Sequence, residues 1–186
     1  MGIFNEAMLK LVKIVVLTIL CCFMGSCFHL QTQDAYPANL KNLYFTSDNV
    51  YNEISQNLQS KLRAMGVHFT ESKNAAPFTL ALSDSKTSTI LPTAYSTSSA
   101  TAYIYTLTVT ATLLMQKNKK KLTVFQTPLV ATQSVTLNVN QVGSSAITPL
   151  MRRTLTRQIV NSIYYLLISK GTQHTIISLN QPQRKH

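Results

Sequence analysis

The chain has 186 residues, about the length of one domain with a substantial core. Its 17 basic side chains outnumber 6 acidic ones, which gives a formal net charge of +11. The only cysteines are Cys21, Cys22 and Cys27, so the composition excludes a disulfide-stapled domain in the rest of the chain. The positive charge favours an anionic partner, or it simply keeps the surface soluble.

The N-terminal segment has the pattern of a secretory leader. Lys10 and Lys13 precede an apolar run at residues 14–23, which is shorter than the roughly 20 residues of a membrane span. The run leads into Met24-Gly25-Ser26-Cys27, which resembles the bacterial lipobox, with Met24 where leucine is usual. We therefore expect residues 1–26 to be a lipoprotein signal peptide.

In this interpretation Cys27 becomes the lipidated first residue of the mature chain. Several acyl chains anchor a protein almost permanently, because each buried methylene contributes about 0.8 kcal/mol. Residues 27–39 are mostly polar after the first few positions and contain Pro37, which predicts a lipidated tether. Phe28 stands where lipoproteins of the inner membrane carry aspartate, so the resemblance implies the periplasmic side of the outer membrane. The alternative is an ordinary membrane anchor or an uncleaved leader.

The first half of the expected domain contains a strand and a helix. Residues 40–46 alternate imperfectly and predict the strand. Residues 47–49 supply candidate N-caps, and Gly66 stands where a helix C-terminus is expected. Between them an amphipathic helix is predicted, with an apolar stripe of Val50, Ile54, Leu58, Leu62 and Met65.

The middle of the chain predicts strands. Residues 67–70 and 77–82 are short apolar segments, and residues 83–101 are rich in serine and threonine, which indicates either a loop or a frayed strand end. In residues 102–114 the side chains of two faces alternate strictly, which predicts a long strand. One face is expected to pack under the helices and the other to be partly exposed to solvent. The polar residues 116–121 predict a hairpin to a return strand, in which Pro128 indicates an edge position or a bulge.

A second helix is predicted from Thr148 as N-cap and Pro149 as first residue. Lys170-Gly171 would end it, and residues 172–186 predict a loosely ordered basic tail. Its apolar stripe would comprise Leu155, Ile159, Ile163 and Leu166.

These elements predict a single α+β domain at residues 40–171. Each element has one apolar face to bury, so we expect a two-layer sandwich of two amphipathic helices on a four-stranded, mostly antiparallel sheet.

The mature chain carries few groups suited to catalysis. Its carboxylates are dispersed, and the sequence contains no glycine-rich phosphate loop and no serine nucleophile elbow. We expect neither an enzyme nor a bound cofactor. We also expect no metal site, because the histidines lack the spacing of metal ligands; they are His29, His68, His174 and His186.

Two basic clusters are candidate anion-binding sites. A hairpin-tip lysine cluster could bind phosphates as a fan of point charges, or it could be a solvated turn that discourages edge pairing. A second patch lies on the predicted helix, and the alternative is that it is simply the polar face of that helix. Outside the cytosol the available polyanions are phosphorylated lipids and envelope glycolipids, so nucleic acid is not expected. The first cluster comprises Lys117, Lys119, Lys120 and Lys121, and the second Arg152, Arg153 and Arg157.

Further segments carry a recognisable pattern. The lipobox is followed by Cys27-Phe28-His29-Leu30, and Asn42-Leu43-Tyr44-Phe45-Thr46-Ser47 leads into a helix that ends Leu62-Arg63-Ala64-Met65-Gly66-Val67. The long strand contributes Tyr105-Thr106-Leu107-Thr108-Val109-Thr110-Ala111. Together these segments resemble the LptE family of lipopolysaccharide-assembly lipoproteins. Members of the family usually carry glycine after the lipidated cysteine, where this chain has Phe28.

The resemblance implies an outer-membrane lipoprotein that forms a complex with the LptD β-barrel. It would sit in the barrel lumen as plug and assembly factor, and it would bind lipopolysaccharide during insertion into the outer membrane. The family's basic contact residue before the long strand has no counterpart, because residues 96–100 are uncharged, so no binding residue is carried over. The alternative is a free-standing structural or protein-binding lipoprotein of another envelope complex.

Overall fold

The computed structural model describes residues 36–90, 100–138 and 147–181. The predicted signal peptide at 1–26, the lipidation site Cys27 and the basic residues 184–186 lie outside these ranges. Among the described helices, none combines the length and apolar character that crossing a membrane requires.

The described residues form three α-helices and six strands, preceded by a short 3-10 turn at Ala38–Leu40. The helices are α1 (Glu53–Ala64), α2 (Pro149–Ile168) and α3 (Lys170–Asn180). The strands are β1 (Asn42–Ser47), β2 (His68–Phe69), β3 (Phe78–Leu82), β4 (Lys86–Ile90), β5 (Ala100–Lys117) and β6 (Lys120–Asn138). The mixed α+β class is therefore as predicted.

The sheet differs from the predicted four-stranded, mostly antiparallel one. It has six strands, and β1 runs parallel to both β2 and β3. Helix α1 lies between β1 and β2 in sequence and carries the chain back to the starting edge, so the two strands must run in the same direction. The sequence did not show β2 and β4 clearly, because segments of two and five residues are too short for a reliable period.

Strand β5 organises the sheet because it pairs along both of its edges. On one edge β3 pairs with residues 111–115 and β4 with residues 104–108, both antiparallel. On the other edge β6 follows β5 over its whole length. Strand β6 pairs only with β5 among the described strands, which confirms its predicted edge position.

The β5–β6 hairpin is tighter than residues 116–121 suggested. Asn118 and Lys119 form a two-residue turn with φ of 50° and 62°, a left-handed conformation that matches the twist of a hairpin. A register shift lies between Leu113 and Leu114, which places the irregularity near Val124. The predicted bulge is thus not at Pro128, which pairs in register with Thr110.

The two faces of β5 differ as the alternation predicted. The helix-facing side chains are buried, whereas those on the opposite, open face are half-buried. The buried set comprises Tyr103, Tyr105, Leu107, Val109, Ala111, Leu113 and Met115. This layer packs into one core with the apolar sides of α1 and α2.

Helix α1 starts later than the apolar spacing indicated. Its N-cap is Asn52, whose side chain accepts from the backbone N–H of Ile54 at 3.1 Å, rather than any residue of 47–49. Val50 precedes the helix and is 51% exposed, so its place in the apolar stripe was wrong. Ile54, Leu58 and Leu62 are buried as predicted.

Helix α2 begins as predicted. The Thr148 side chain accepts from the N–H of Met151 at 3.3 Å, and Pro149 is the first helical residue. The stripe was correct at Leu155, Ile159 and Ile163, but Leu167 is fully buried where Leu166 was expected.

The prediction of a loosely ordered tail was wrong for residues 172–180, which belong to α3, while residues 182–186 lie outside the described ranges. Ser169 has an extended backbone that interrupts the helix, and its hydroxyl accepts from the N–H of Thr172 at 3.2 Å, so it caps α3. Lys170-Gly171 therefore begins a new helix, α3, whereas the sequence predicted that these residues end the last helix. At the other end Tyr36 is buried and stacks on Tyr164 with ring centroids 6.4 Å apart, so the domain extends outside 40–171 on both sides.

Docking of α3 can be tested with adjacent isoleucines. Ile176 is 1% exposed and Ile177 is 58% exposed. We expect Ile176→Ala to lower the free energy of unfolding by about 2 kcal/mol or more, because it leaves a cavity in the core. The matched Ile177→Ala should change it by less than about 0.5 kcal/mol. Urea denaturation of both variants measures the difference, and equal effects would contradict the packing of α3.

Candidate functional site

The structure separates Lys117 from the other hairpin lysines. Its ammonium group donates to the backbone carbonyl of Leu179 and, at 3.2 Å, to that of Gln181. These carbonyls belong to the C-terminal end of α3, where the helix dipole favours a positive charge. Lys117 therefore ties α3 to the hairpin, a structural role that the sequence pattern did not indicate.

The remaining lysines of the hairpin tip are exposed. Lys119 lies in the turn, while Lys120 and Lys121 begin β6. The structure adds Lys73, which comes from the loop between β2 and β3. A side-chain hydrogen bond with Lys73, and then its positive charge, lowers the pKa of Lys121. The hairpin-tip cluster thus comprises Lys73, Lys119, Lys120 and Lys121.

Sequence reasoning missed Lys73 because it lies far from the hairpin in the chain. The loop reaches the tip through the sheet, where the N–H of Gln116 donates to the carbonyl of Pro77 at 2.8 Å. Only the pairing of β3 with the end of β5 brings these segments together, and no local pattern reports it.

The predicted arginine patch divides between two clefts. Arg152 faces a cleft of about 350 Å³ near the starts of α1 and β4, lined also by Asn52 and Ser85. Arg153 and Arg157 line a groove of about 360 Å³ between α1 and α2. This α1–α2 groove is also lined by Glu53, Asn57, Lys61, Val160 and Asn161.

Lys61 is held in place at the α1–α2 groove. Its ammonium group donates to the side-chain oxygen of Asn161 at 2.6 Å and lies 4.6 Å from the ring centroid of Tyr164. Partial burial lowers the pKa of Lys61. The sequence does contain a signal for this site, since Glu53, Asn57 and Lys61 follow i, i+4, i+8 spacing, as do Arg153, Arg157 and Asn161.

The histidines that the structure describes do not converge. His68 lies on β2 and His174 on α3, and both are exposed. Within the described ranges, no three side chains of histidine, cysteine, aspartate or glutamate are grouped so that they could hold a metal ion.

Comparison with known proteins identifies the fold. No protein-family model matches the chain, and no curated protein does. A solved structure of lipoprotein B from Nitrosomonas europaea, described as uncharacterized, matches with a TM-score of 0.52 at 15% identity, covering 79% of this chain and 96% of that one. A minor lipoprotein from Acinetobacter baumannii matches with a TM-score of 0.47 at 18% identity, covering 77% and 98%.

The described domain therefore shares its fold with a bacterial lipoprotein. The same fold also matches a Helicobacter pylori protein described as a homolog of a neuraminyllactose-binding hemagglutinin, with a TM-score of 0.50 at 10% identity over 79% of this chain and 94% of that one. Proteins with different descriptions share this fold. The similarity therefore identifies the architecture, and a function has to be argued from the surface residues.

The structural role assigned to Lys117 can be tested against its neighbour Lys119. We expect Lys117→Met to lower the free energy of unfolding by about 1.5 kcal/mol, because two carbonyls of α3 lose a charged donor. Lys119→Met removes the same charge from the exposed turn and should stay within about 0.5 kcal/mol of the original protein. Thermal denaturation measures the stability of both variants. A Lys117→Met variant as stable as the original protein would contradict the structural role and favour the solvated-turn interpretation of Lys117.

Proposed function

We propose that this protein is an outer-membrane lipoprotein that forms a complex with an LptD-type β-barrel. In this role it acts as plug and assembly factor and binds lipopolysaccharide during its insertion. The observation that carries the proposal is the combination of a lipobox ending at Cys27 with a domain of the fold found in lipoprotein B. The proposed activity is binding, without catalysis or a cofactor.

The open face of the sheet supports a protein partner. Its β5 positions are mainly threonines, and its β6 positions are neutral and exposed, including Val130 at 58%. Neutral hydroxyl and aliphatic groups cost less to remove from water than charges do. The open face of this long, uncharged strand pair therefore favours contact with the wall of a protein barrel over contact with a membrane surface or binding of an anion.

The hairpin-tip cluster supports binding of a phosphorylated glycolipid. Its lysines are exposed, and Lys73 stands close enough to Lys121 to disfavour the positive charge of Lys121 and lower its pKa. A phosphate between them would relieve that repulsion. Near an anionic surface each lysine contributes about 1 kcal/mol. Within the proposed lipopolysaccharide site we therefore retain Lys119, Lys120 and Lys121, add Lys73, and assign Lys117 to the fold.

Lipidation at Cys27 is the first test. We expect mass spectrometry of the protein from bacterial membranes to show a mature N-terminus at Cys27 carrying acyl chains. Cys27→Ser should leave the leader uncleaved and abolish the acylated form, because the acceptor thiol is missing. An unmodified Cys27 with the leader still attached would contradict the proposed location.

The barrel complex is tested by capture from outer membranes solubilised in mild detergent. The tagged lipoprotein should retain an outer-membrane β-barrel of the LptD type, identified by mass spectrometry. Val130→Glu should reduce capture at least about tenfold, because it buries an unpaired charge at the open face. Tyr165→Glu, at an exposed position of α2, is the matched control and should capture normally.

Two results would count against the complex. Equal capture by Val130→Glu and Tyr165→Glu would remove the open face from the interface. Capture of no barrel by a folded, lipidated protein would favour a free-standing lipoprotein of another envelope complex.

A further inference from the structure

The α1–α2 groove is a third surface of the domain. It is separate from the open face proposed for the barrel and from the hairpin-tip cluster proposed for lipopolysaccharide. It lies in the helix layer, on the opposite side of the sheet from the open face. Glu53, Asn57 and Lys61 on α1 lie beside Arg153, Arg157 and Asn161 on α2, and Lys61 bonds Asn161 at the far end. At the other end, Asn52 and Glu53 of the α1 start share a cleft with Arg152 and Thr156 of α2, so the helices run parallel and their N-terminal ends lie side by side.

This geometry concentrates positive charge at one end of the groove. The N-terminal end of a helix carries about half a positive charge, and α2 has no acidic residue in its first turn. Arg153 follows directly after that turn and Arg157 lies one turn further along, so both add cationic side chains near this end of the helix. Glu53 is the one carboxylate among the lining residues, and it opposes three cationic side chains. A site arranged in this way attracts an anion.

The side chains also have the right donors for an oxyanion. Arg153 and Arg157 are exposed, and each guanidinium can present two parallel N–H groups to a phosphate. Lys61 is ordered by Asn161 and by the ring of Tyr164, and its ammonium group has further donors after bonding Asn161. The lowered pKa of Lys61 reflects lost solvation, which a bound anion would compensate.

We propose that the α1–α2 groove binds a phosphoryl group, with Arg153 and Arg157 as the principal ligands and Lys61 as a pre-positioned third donor. The volume of about 360 Å³ accommodates a phosphate together with part of a small head group. This site goes beyond the proposed function, because it lies apart from both the hairpin-tip cluster and the open face. It can therefore be occupied while a partner covers the sheet.

The source of the phosphoryl group is either a free small anion or a lipid head group. Two probes distinguish them, inorganic phosphate and the soluble short-chain lipid dihexanoyl phosphatidic acid. Isothermal titration calorimetry with the full, lipidated protein in a non-ionic detergent measures the Kd of each. Binding of both probes, or of either one alone, supports the site if that binding depends on Arg157, and the pattern identifies the source.

Matched variants test the assignment. Arg157→Gln should raise the Kd about tenfold, since one of the two principal ligands is lost. Arg152→Gln removes the same charge five residues before Arg157, from a side chain that faces the other cleft, and should change the Kd less than about threefold. Lys61→Met keeps the stem of the side chain over Tyr164 and should raise the Kd by a smaller factor than Arg157→Gln.

Three results would overturn the proposal. These are an unchanged Kd in Arg157→Gln, equal effects of Arg152→Gln and Arg157→Gln, and no saturable binding of either probe up to roughly 10 mM, a concentration above the weakest usual specific affinities. Arg157 is exposed, so its replacement leaves folding intact, and thermal denaturation confirms this for each variant. Barrel capture uses separate variants, so either proposal can fail without the other.

Discussion

Burial of one face of β5 beneath the helices is the interaction on which the rest of the structure depends. This 18-residue strand pairs with β3 and β4 along one edge and with β6 along the other. Its alternate side chains enter the core, where they meet Leu155, Ile159 and Ile163 of α2. Because a slip of one residue would expose this entire apolar set, the burial fixes both the register of the sheet and the position of the helices.

The same burial gives the domain two different surfaces. The face of β5 that turns away from the helices keeps its threonines, and the outward positions of β6 are exposed and neutral. The cations of the two candidate anion sites lie on the hairpin tip and in the helix layer, whereas the exposed Lys86 of β4 pairs opposite Thr108 at the open face. The proposed protein partner and the proposed anion would therefore occupy separate parts of one small fold, and neither would compete with the other for surface.

The elements predicted correctly are those with a long hydrophobic period. β5, α1 and α2 each repeat their pattern over several turns or many strand positions, so a local reading of the sequence suffices. The parallel pairing of β1 was missed, since the pairing of two strands is a property of the whole sheet. Helix α3 was missed because Lys170-Gly171 satisfies the rules for a helix end, while Ser169 supplies both an interruption and a new cap.

The candidate sites show why charge along the sequence is a poor guide to binding. Lys117 stands within a run of lysines, yet its ammonium group is engaged by the carbonyls of α3. Lys61 lies outside both basic clusters of the sequence, yet it bonds Asn161, lies over the ring of Tyr164 and lines the groove with two arginines. What distinguishes a binding cation from a structural one is whether its donors are already satisfied and whether its neighbours share its sign. Both properties arise from tertiary contacts, so the α1–α2 groove emerges only once the two helices lie side by side.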